Sequence, residues 1–215
     1  MLNVQHEVLN SRDMMRLYYH LSKWIVSRAA KRMCRDCDGF ILEGSRIIDL
    51  GCGSGIVGQK LAEHFNSQVI GADVADIRTQ NIPFRLIIDN VLPFKDKEFD
   101  VCFISFVLHH ATNPVITLKE AKRIAKDKII IYEDLAEGLF ARIRCFFHKM
   151  IYNIFAGTCG KKCHFKTQAE WEKLFGDLGL ELVAKKKISS AKGWPSPMKK
   201  IFYVLSGPDT KNLGA

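Results

Sequence analysis

The chain contains no uninterrupted apolar run of the length that crosses a membrane. No stretch of about 18 uncharged apolar residues occurs in it. The segment from Met1 to Lys31 alternates charged with apolar side chains, where a signal peptide would join a basic start to an apolar block. We therefore expect neither a membrane span nor a signal peptide.

The cysteines do not form the even, regularly spaced set that a disulfide framework requires. There are seven, and Cys52, Cys102 and Cys145 lie inside apolar runs that are typical of buried strands or helices. This pattern predicts reduced thiols and, together with the lack of a signal peptide, a cytoplasmic protein.

The composition is that of an ordinary folded domain. The 215 residues are 47% apolar and 26% charged, which is far from the composition of disordered segments. A chain of this length can bury a continuous core without disulfides or metals. We predict a single domain over residues 1–215.

The formal net charge of +9 is unevenly distributed. Residues 41–100 carry 6 basic and 9 acidic side chains, whereas residues 121–166 carry 10 and 4, and residues 185–215 carry 7 and 1. The basic segments indicate either a solvated surface or contact with an anionic acceptor or a peripheral phospholipid surface. No motif supports a specific nucleic-acid partner, and none specifies an oligomeric state.

Short apolar runs rich in Ile and Val alternate with helical patterns along the first part of the chain. Such runs are what parallel strands buried on both faces require. The predicted strands are Arg46–Leu50, Gln68–Ala72, Phe84–Ile88, Phe99–Ser105 and Lys128–Tyr132. Helical patterns occupy Gly55–Phe65 and Thr112–Ala125. This alternation predicts a doubly wound, mostly parallel α/β sheet.

The regular alternation of strands and helices ends after the fifth predicted strand. A long apolar helix is expected at about Gly138–Ala156 and a shorter one at about Gln168–Leu178. Two β-rich stretches follow, Glu181–Ile188 and Lys200–Leu205, and the broken loop between them predicts an antiparallel C-terminal hairpin. The complete sheet would then have seven strands.

Three glycines at alternate positions follow the first predicted strand. Gly51, Gly53 and Gly55 lie between Ile47–Leu50 and a helix, so the backbone can turn sharply and approach a ligand at the helix N-terminus. A dinucleotide fingerprint would place its third glycine at position 56, which is Ile56. The pattern therefore disfavours NAD.

Three aspartates accompany the glycines. Asp73 ends the second predicted strand, where its carboxylate can accept hydrogen bonds from both hydroxyls of a ribose or cap the segment that follows. Asp49 directly precedes the glycines, and Asp89 either serves the ligand or caps a turn before Pro93.

Taken in order, these segments resemble the class I S-adenosylmethionine-dependent methyltransferases, most of all the type 11 subgroup. The resemblance covers roughly residues 44–135 and includes the stretch Leu92–Asp100 and the turn Val107–His110. It implies a Rossmann-like methyltransferase fold, methyltransferase activity and S-adenosyl-L-methionine as cofactor. It further implies that Asp73 holds the ribose and Asp89 lies beside the adenine. The cofactor-binding residues expected from it are Asp49, Gly51, Cys52, Gly53, Gly55, Asp73, Val74, Asp89, Asn90, Val91, Ser105 and Phe106.

Methyl transfer from a sulfonium is an in-line displacement that depends chiefly on alignment and exclusion of water, so a general base is optional. Ligands of open α/β sheets lie beyond the carboxyl ends of the strands. We expect His110 to fix the loop after the fourth strand and His109 to be the freer of the two. The candidate catalytic residues are His109, His110, Tyr18, Tyr19 and Glu133, with Asp134 beside them.

The turn after the fourth strand, Ser105–Leu108, lacks the Asn/Asp-Pro-Pro-aromatic pattern of the family members that methylate nucleobase amines. The resemblance therefore favours a small-molecule or lipid-like acceptor, which the basic segments would suit if it is anionic. The alternatives are a protein or RNA methyltransferase that uses the basic segments, and a non-catalytic protein that binds the cofactor.

Two segments outside the sheet are expected to cover the active site: an N-terminal helical cap at residues 1–40 and a helical insertion at 136–166. The apolar side chains of the insertion could pack on Leu17, Leu21 and Trp24 and line the acceptor pocket, or simply complete the core. We expect no metal. The cysteines of these segments could hold a structural zinc, or be ordinary reduced thiols; they are Cys34, Cys37, Cys159 and Cys163.

Overall fold

A seven-stranded sheet forms the centre of the structure, a computed structural model that describes residues 11–89, 91–156, 163–188 and 198–207. The strands in chain order are β1 (Arg46–Leu50), β2 (Gln68–Asp73), β3 (Phe84–Leu86), β4 (Phe99–Ser105), β5 (Ala125–Leu135), β6 (Glu181–Ile188) and β7 (Lys199–Ser206). The strand predictions are confirmed, but β5 is longer than predicted at both ends, so Glu133 and Asp134 lie inside it.

Within the described ranges, five helices accompany the strands: α1 (Ser11–Asp36), α2 (Ile56–Phe65), α3 (Pro114–Ile124), α4 (Ala141–Ala156) and α5 (Gln168–Asp177). Local chemistry sets several of their ends. The Asn113 side chain accepts hydrogen bonds from the first amides of α3, whose first residue is Pro114. Thr167 and Glu170 form a reciprocal capping box at the start of α5.

The strand order is β3-β2-β1-β4-β5-β7-β6. The first five strands are mutually parallel, and β7 is antiparallel to both β5 and β6. The predicted mostly parallel sheet with an antiparallel C-terminal hairpin is therefore confirmed. The two hairpin strands lie in the sheet in the reverse of their chain order, because the apolar strand β7 pairs with β5 inside the sheet. Strand β6 forms the edge, with Lys185, Lys186 and Lys187 exposed.

Successive residues of each central strand point to opposite faces of the sheet, and both faces are covered. On β1, Ile48 and Leu50 belong to a core with α3 and α5, whereas Ile47 belongs to a core with α1 and α2. From β1 the chain runs outward to β2 and β3 on one side, and it then crosses back to β4 on the other side of β1. This is a topological switch point, and the crevice beyond its carboxyl ends is where such sheets bind ligands.

Helices α1 and α4 contact each other outside the sheet. Leu21 and Trp24, which could have packed on the insertion, are 76% and 68% exposed, so most of their surface is uncovered. The core side of α1 is instead formed by Ala29, Ala30 and Met33 near its C-terminal end. Among the described residues, no helix is both long and apolar enough to span a membrane.

Candidate active site

The loop after β1 is built from glycines in left-handed backbone conformations. Gly51, Gly53 and Gly55 have φ values of 76°, 49° and 75°, which residues with a side chain rarely adopt. The Gly51 amide donates to the Ala72 carbonyl at 2.7 Å, which ties the loop to β2. A Cβ added at Gly51 would lie 2.2 Å from a methyl carbon of Val107. Glycine is therefore required for the loops after β1 and β4 to approach each other.

Asp73 joins this loop to the end of β2. One carboxylate oxygen accepts the Gly53 amide at 2.8 Å, and the other accepts the Val74 amide at 2.7 Å. Burial raises the pKa of Asp73, and these amide hydrogen bonds counteract the rise. The loop amides and this carboxylate form a compact polar site at the switch point, with the donors and the acceptor that a ribose and its substituents require.

Helix α1 passes over the glycine loop. A Cβ added at Gly53 would lie 3.1 Å from the Tyr19 hydroxyl, and the Arg16 guanidinium donates to the Asp76 carbonyl at 3.1 Å beyond the end of β2. Tyr18 packs edge-on against Tyr19 with ring centroids 5.4 Å apart, and burial raises the pKa of Tyr18. Of the two predicted tyrosines, Tyr19 is therefore the one placed at the glycine loop.

Asp49 lies beneath the glycine loop and is fully buried. Its Oδ2 would be 3.0 Å from a Cβ added at Gly58 of α2, and neither carboxylate oxygen has a hydrogen-bond partner of ordinary geometry among the described residues. Burial, with a smaller contribution from the charge of Asp73, raises the pKa of Asp49 to about 7, while the Gly58 amide acts in the opposite direction. Asp49 is thus placed behind the predicted binding surface.

The burial of Asp49 predicts a specific pH dependence of stability. Its carboxyl ionises near 3.8 when solvated and near 7 in the fold, so the folded state holds the proton more tightly. The free energy of unfolding should therefore fall as pH rises through this window, by up to about 1.4 kcal/mol per pH unit. In Asp49→Asn this decline should be absent.

Urea unfolding of the two proteins between pH 4 and 8 tests this expectation. The advantage of Asp49→Asn over the original chain should grow with pH and become constant above about pH 7. Asp177→Asn, at an exposed residue of α5, is the matched control and should show no such trend. Parallel stability curves for Asp49→Asn and the original chain would contradict the buried acid.

The segment after β3 adds exposed apolar side chains beside Asp73. The Ile87 amide donates to the Asp73 carbonyl at 2.8 Å, and Val74, Ile88 and Val91 are 62–69% exposed. Asp89 is exposed and has a φ of 52°; the predicted Asn90 lies outside the described residues. If the Asp73 carboxylate held a ribose, this apolar surface next to it would suit a planar base.

On the other side of the switch point, β4 ends in a strained turn. Phe106 has a φ of 57°, in the left-handed region that a bulky side chain rarely adopts. Its amide donates to the Tyr132 carbonyl of β5 at 2.8 Å, and Ser105 pairs with Tyr132 in register. Both predicted residues are half-buried at the carboxyl end of β4.

The next residues of this turn form a buried ion-pair network with the end of β5. His109 Nδ1 contacts Glu133 Oε1, and the His109 amide donates to Glu133 Oε2 at 3.3 Å. Burial disfavours the charged form of His109, but the charge and hydrogen bond of Glu133 outweigh it and raise the pKa of His109. The prediction that His109 is the freer histidine is wrong, because β5 extends far enough to place Glu133 directly against its ring.

A third histidine, from α4, completes the cluster. His148 Nε2 lies 3.4 Å from His109 Nε2 and 3.3 Å from His110 Nε2. Burial, with the charge of neighbouring His109, lowers the pKa of His110 to about 2 and that of His148 to about 4. His148 Nδ1 lies 3.8 Å from Asp134, which is 3.6 Å from the buried Lys200 ammonium.

The sequence placed His148 near the expected acceptor pocket but did not predict its contact with His109 and His110, and it did not assign Lys200 to the site. His148 is a histidine within an apolar helix, which was a usable signal. Lys200 faces Asp134 because the two residues are partners in the β5–β7 register. That register depends on the insertion of β7 beside β5, so the local sequence contained no sign of it.

The predicted cysteine pairs are placed differently from one another. Cys34, on α1, and Cys37, just after it, are buried in the core that α1 and α2 form with the sheet. Burial raises the pKa of Cys34 to about 12. Cys163 is half-buried, and Cys159 lies outside the described residues. Buried thiols with raised pKa values are poor precursors of metal-binding thiolates. We therefore interpret Cys34 and Cys37 as core residues.

Part of the chain is similar in sequence to known proteins. Residues 48–132 match a family model described as a methyltransferase domain. A tRNA U34 carboxymethyltransferase of Nautilia profundicola is 28% identical over 92 residues, which are 38% of this chain and 31% of that protein. An uncharacterized protein of Methanocaldococcus jannaschii is 37% identical over 92 residues, 40% of this chain and 43% of that protein. The chain thus spans less than half the length of these curated relatives.

Similarity to solved structures extends over more of the chain. The complex between the Haloferax volcanii Trm112 methyltransferase activator and a candidate methyltransferase has a chain that matches with a TM-score of 0.67 and 17% identity, covering 92% of this chain and 96% of that one. Magnesium protoporphyrin IX methyltransferase from Synechocystis, solved with S-adenosylhomocysteine bound, matches with a TM-score of 0.61 and 17% identity, covering 85% and 84%. At such low identities, the similarity shows only that these proteins share a fold with this chain.

The strand order and the glycine–carboxylate site at the switch point define a class I methyltransferase fold. Residues 48–132 match the methyltransferase-domain family, and solved S-adenosylmethionine-dependent methyltransferases share the fold.

Proposed function

We propose that this chain transfers a methyl group from S-adenosylmethionine to an apolar or lipid-like small molecule. The observation that carries the proposal is the pairing of the left-handed glycine loop with the Asp73 carboxylate at the switch point. The loop amides would hold the amino-acid part of the cofactor, Asp73 the ribose, and the exposed Val74 and Val91 the adenine. The bound cofactor would supply a methyl group on a positively charged sulfur.

The chain's own contribution would be alignment and exclusion of water. Helix α1 already covers the glycine loop through Tyr19, and α4 contacts α1. The buried pair of His109 and Glu133 fixes the turn after β4, so the position of His110 beside it is determined. Accurate placement of two reactants can supply several kcal/mol of a reaction barrier without a general base.

The character of the acceptor is proposed from the surface of α4 and the segment before it. Large apolar side chains there are 41–92% exposed, which is more than a helix packed only on a core would show. They are Leu139, Phe140, Ile143, Phe146, Phe147 and Met150. Arg142 and Arg144 lie among them, so an acceptor with an apolar body and an anionic end, or a phospholipid surface that carries it, would suit this face.

An RNA acceptor is the second candidate. It is favoured by the name of the Nautilia profundicola relative, a tRNA U34 carboxymethyltransferase, and by the exposed Lys185, Lys186 and Lys187 on the edge strand. Basic side chains of this kind bind polyanions without sequence preference and with strong salt dependence.

Incubation with methyl-labelled S-adenosylmethionine and fractionated cell extract tests the proposal. Label in the organic-solvent fraction that depends on active protein is the expected result. Asp73→Ala should strongly reduce it, and the surface variant Asp177→Ala should not. Label in the RNA fraction would establish the second candidate instead, and binding of the cofactor with no labelled fraction would indicate a non-catalytic protein.

A further inference from the structure

Three imidazole nitrogens converge on one point at the carboxyl edge of the sheet. His109 and His110 come from the turn after β4 and His148 from α4, and one ring nitrogen of each lies within 4.8 Å of the other two. The two distances to His148 are 3.4 Å and 3.3 Å. Two nitrogens that bind one tetrahedral Zn²⁺ at about 2.0–2.1 Å are about 3.3–3.4 Å apart, so the spacing matches a shared metal.

Hydrogen bonds between the rings account poorly for this arrangement. A ring nitrogen carries either one hydrogen or one lone pair, so His148 Nε2 cannot donate to one neighbour and accept from the other. Two alternatives remain: one hydrogen on His148 Nε2 shared between His109 and His110, or one lone pair on His148 Nε2 that accepts a hydrogen from each of them.

The opposite nitrogens of two of these rings face carboxylates. His109 Nδ1 contacts Glu133, and His148 Nδ1 lies 3.8 Å from Asp134. Metal-binding histidines usually have such a carboxylate or carbonyl behind them, which orients the ring and increases its basicity. Both carboxylates are 1% exposed, so their negative charges would offset the charge of a buried cation. The positive charge of Lys200, 3.6 Å from Asp134, would cancel part of this effect.

We propose that His109, His110 and His148 bind one divalent transition metal ion, Zn²⁺ by ligand type, through their Nε2 atoms. Three histidines without a fourth ligand among the described residues are typical of sites where the metal also binds water or a small ligand. His110 and His148 are half-buried, so the cluster is partly exposed to solvent.

Metal analysis of the full chain, produced with zinc and purified without chelator, tests the proposal. About one equivalent of zinc is expected, and less than a tenth in His148→Gln and in His110→Gln. His64→Gln is the matched control, since His64 also pairs with a carboxylate, Asp38, but lies on α2; it should retain the metal. Circular dichroism confirms that each variant is folded.

Titration of chelator-treated protein with Co²⁺ supplies a second readout that is independent of methyl transfer. The original chain and His64→Gln should develop the visible absorption of a four-coordinate site, and His148→Gln should not. Glu133→Gln should weaken the affinity about 10- to 100-fold. Less than a tenth of an equivalent in the zinc-loaded chain, or equal binding by His148→Gln, would overturn the proposal and leave one of the two hydrogen-bonded arrangements of the rings.

Discussion

Replacing Asp73 with alanine is expected to weaken the binding of S-adenosylmethionine and of its demethylated product by roughly 10- to 150-fold. The carboxylate is proposed to accept hydrogen bonds from the ribose hydroxyls, and the loss of such charge-assisted bonds costs about 1.5–3 kcal/mol. Isothermal titration calorimetry with both ligands measures the effect. Asp177→Ala, at an exposed acid of α5, should leave both affinities unchanged.

Asp73 also accepts the Gly53 and Val74 amides, so part of the loss could arise from a loosened loop. A double cycle with the 2′,3′-dideoxy form of the demethylated product separates the two effects. Removal of the hydroxyls should weaken binding to the original chain but cost little further in Asp73→Ala. Additive losses, or unchanged affinity in the variant, would show that Asp73 supports only the loop.

The second large effect is expected when residues 138–160 are replaced by a Gly/Ser linker. Cofactor affinity should stay within a few-fold, because the glycine loop and Asp73 lie elsewhere in the chain. Methyl transfer should fall by at least about 100-fold, since a misplaced acceptor alone can cost that much. Calorimetry measures the cofactor affinity. Methyl transfer is measured as label in the extract fraction that the original chain labels.

A milder variant separates acceptor binding from folding. Phe146→Ser with Phe147→Ser removes two exposed rings of α4 and should reduce methyl transfer while preserving cofactor affinity and thermal stability. Leu182→Ser with Val183→Ser, at exposed apolar residues of the edge strand β6, is the control and should leave methyl transfer, cofactor affinity and thermal stability unchanged. Unfolding of the linker variant together with loss of cofactor binding would instead identify 138–160 as part of the core.

The elements that sequence analysis placed well are those whose signal is local. The boundaries of β1, β4 and β6 match the prediction, because each is a short run of strand-forming residues ended by glycine, polar residues or a turn. The glycine loop and Asp73 were also found in advance, since a left-handed turn and a strand-ending carboxylate are both visible in a few adjacent residues. These features depend on backbone sterics and burial within one segment.

The features that were missed depend on contacts between distant segments. β5 and β7 were each predicted as strands, but their adjacency, which pairs Asp134 with Lys200, required the whole sheet to assemble. Leu21 and Trp24 follow a helical apolar pattern, yet the side of α1 that packs inward is decided nearer its C-terminal end, by Met33 and Ala30. Periodicity identifies an apolar face but not the surface that covers it.

By itself, the sequence determined the doubly wound sheet, the glycine turn that a ligand can approach and the carboxylate beside it, because each follows from the conformational preferences and burial of neighbouring residues. Only the tertiary structure decided that His109 pairs with Glu133 and that His148 of α4 meets the two histidines after β4. These ring nitrogens come together through strand order and helix packing, which are set by the burial of the entire core and not by any local stretch of chain.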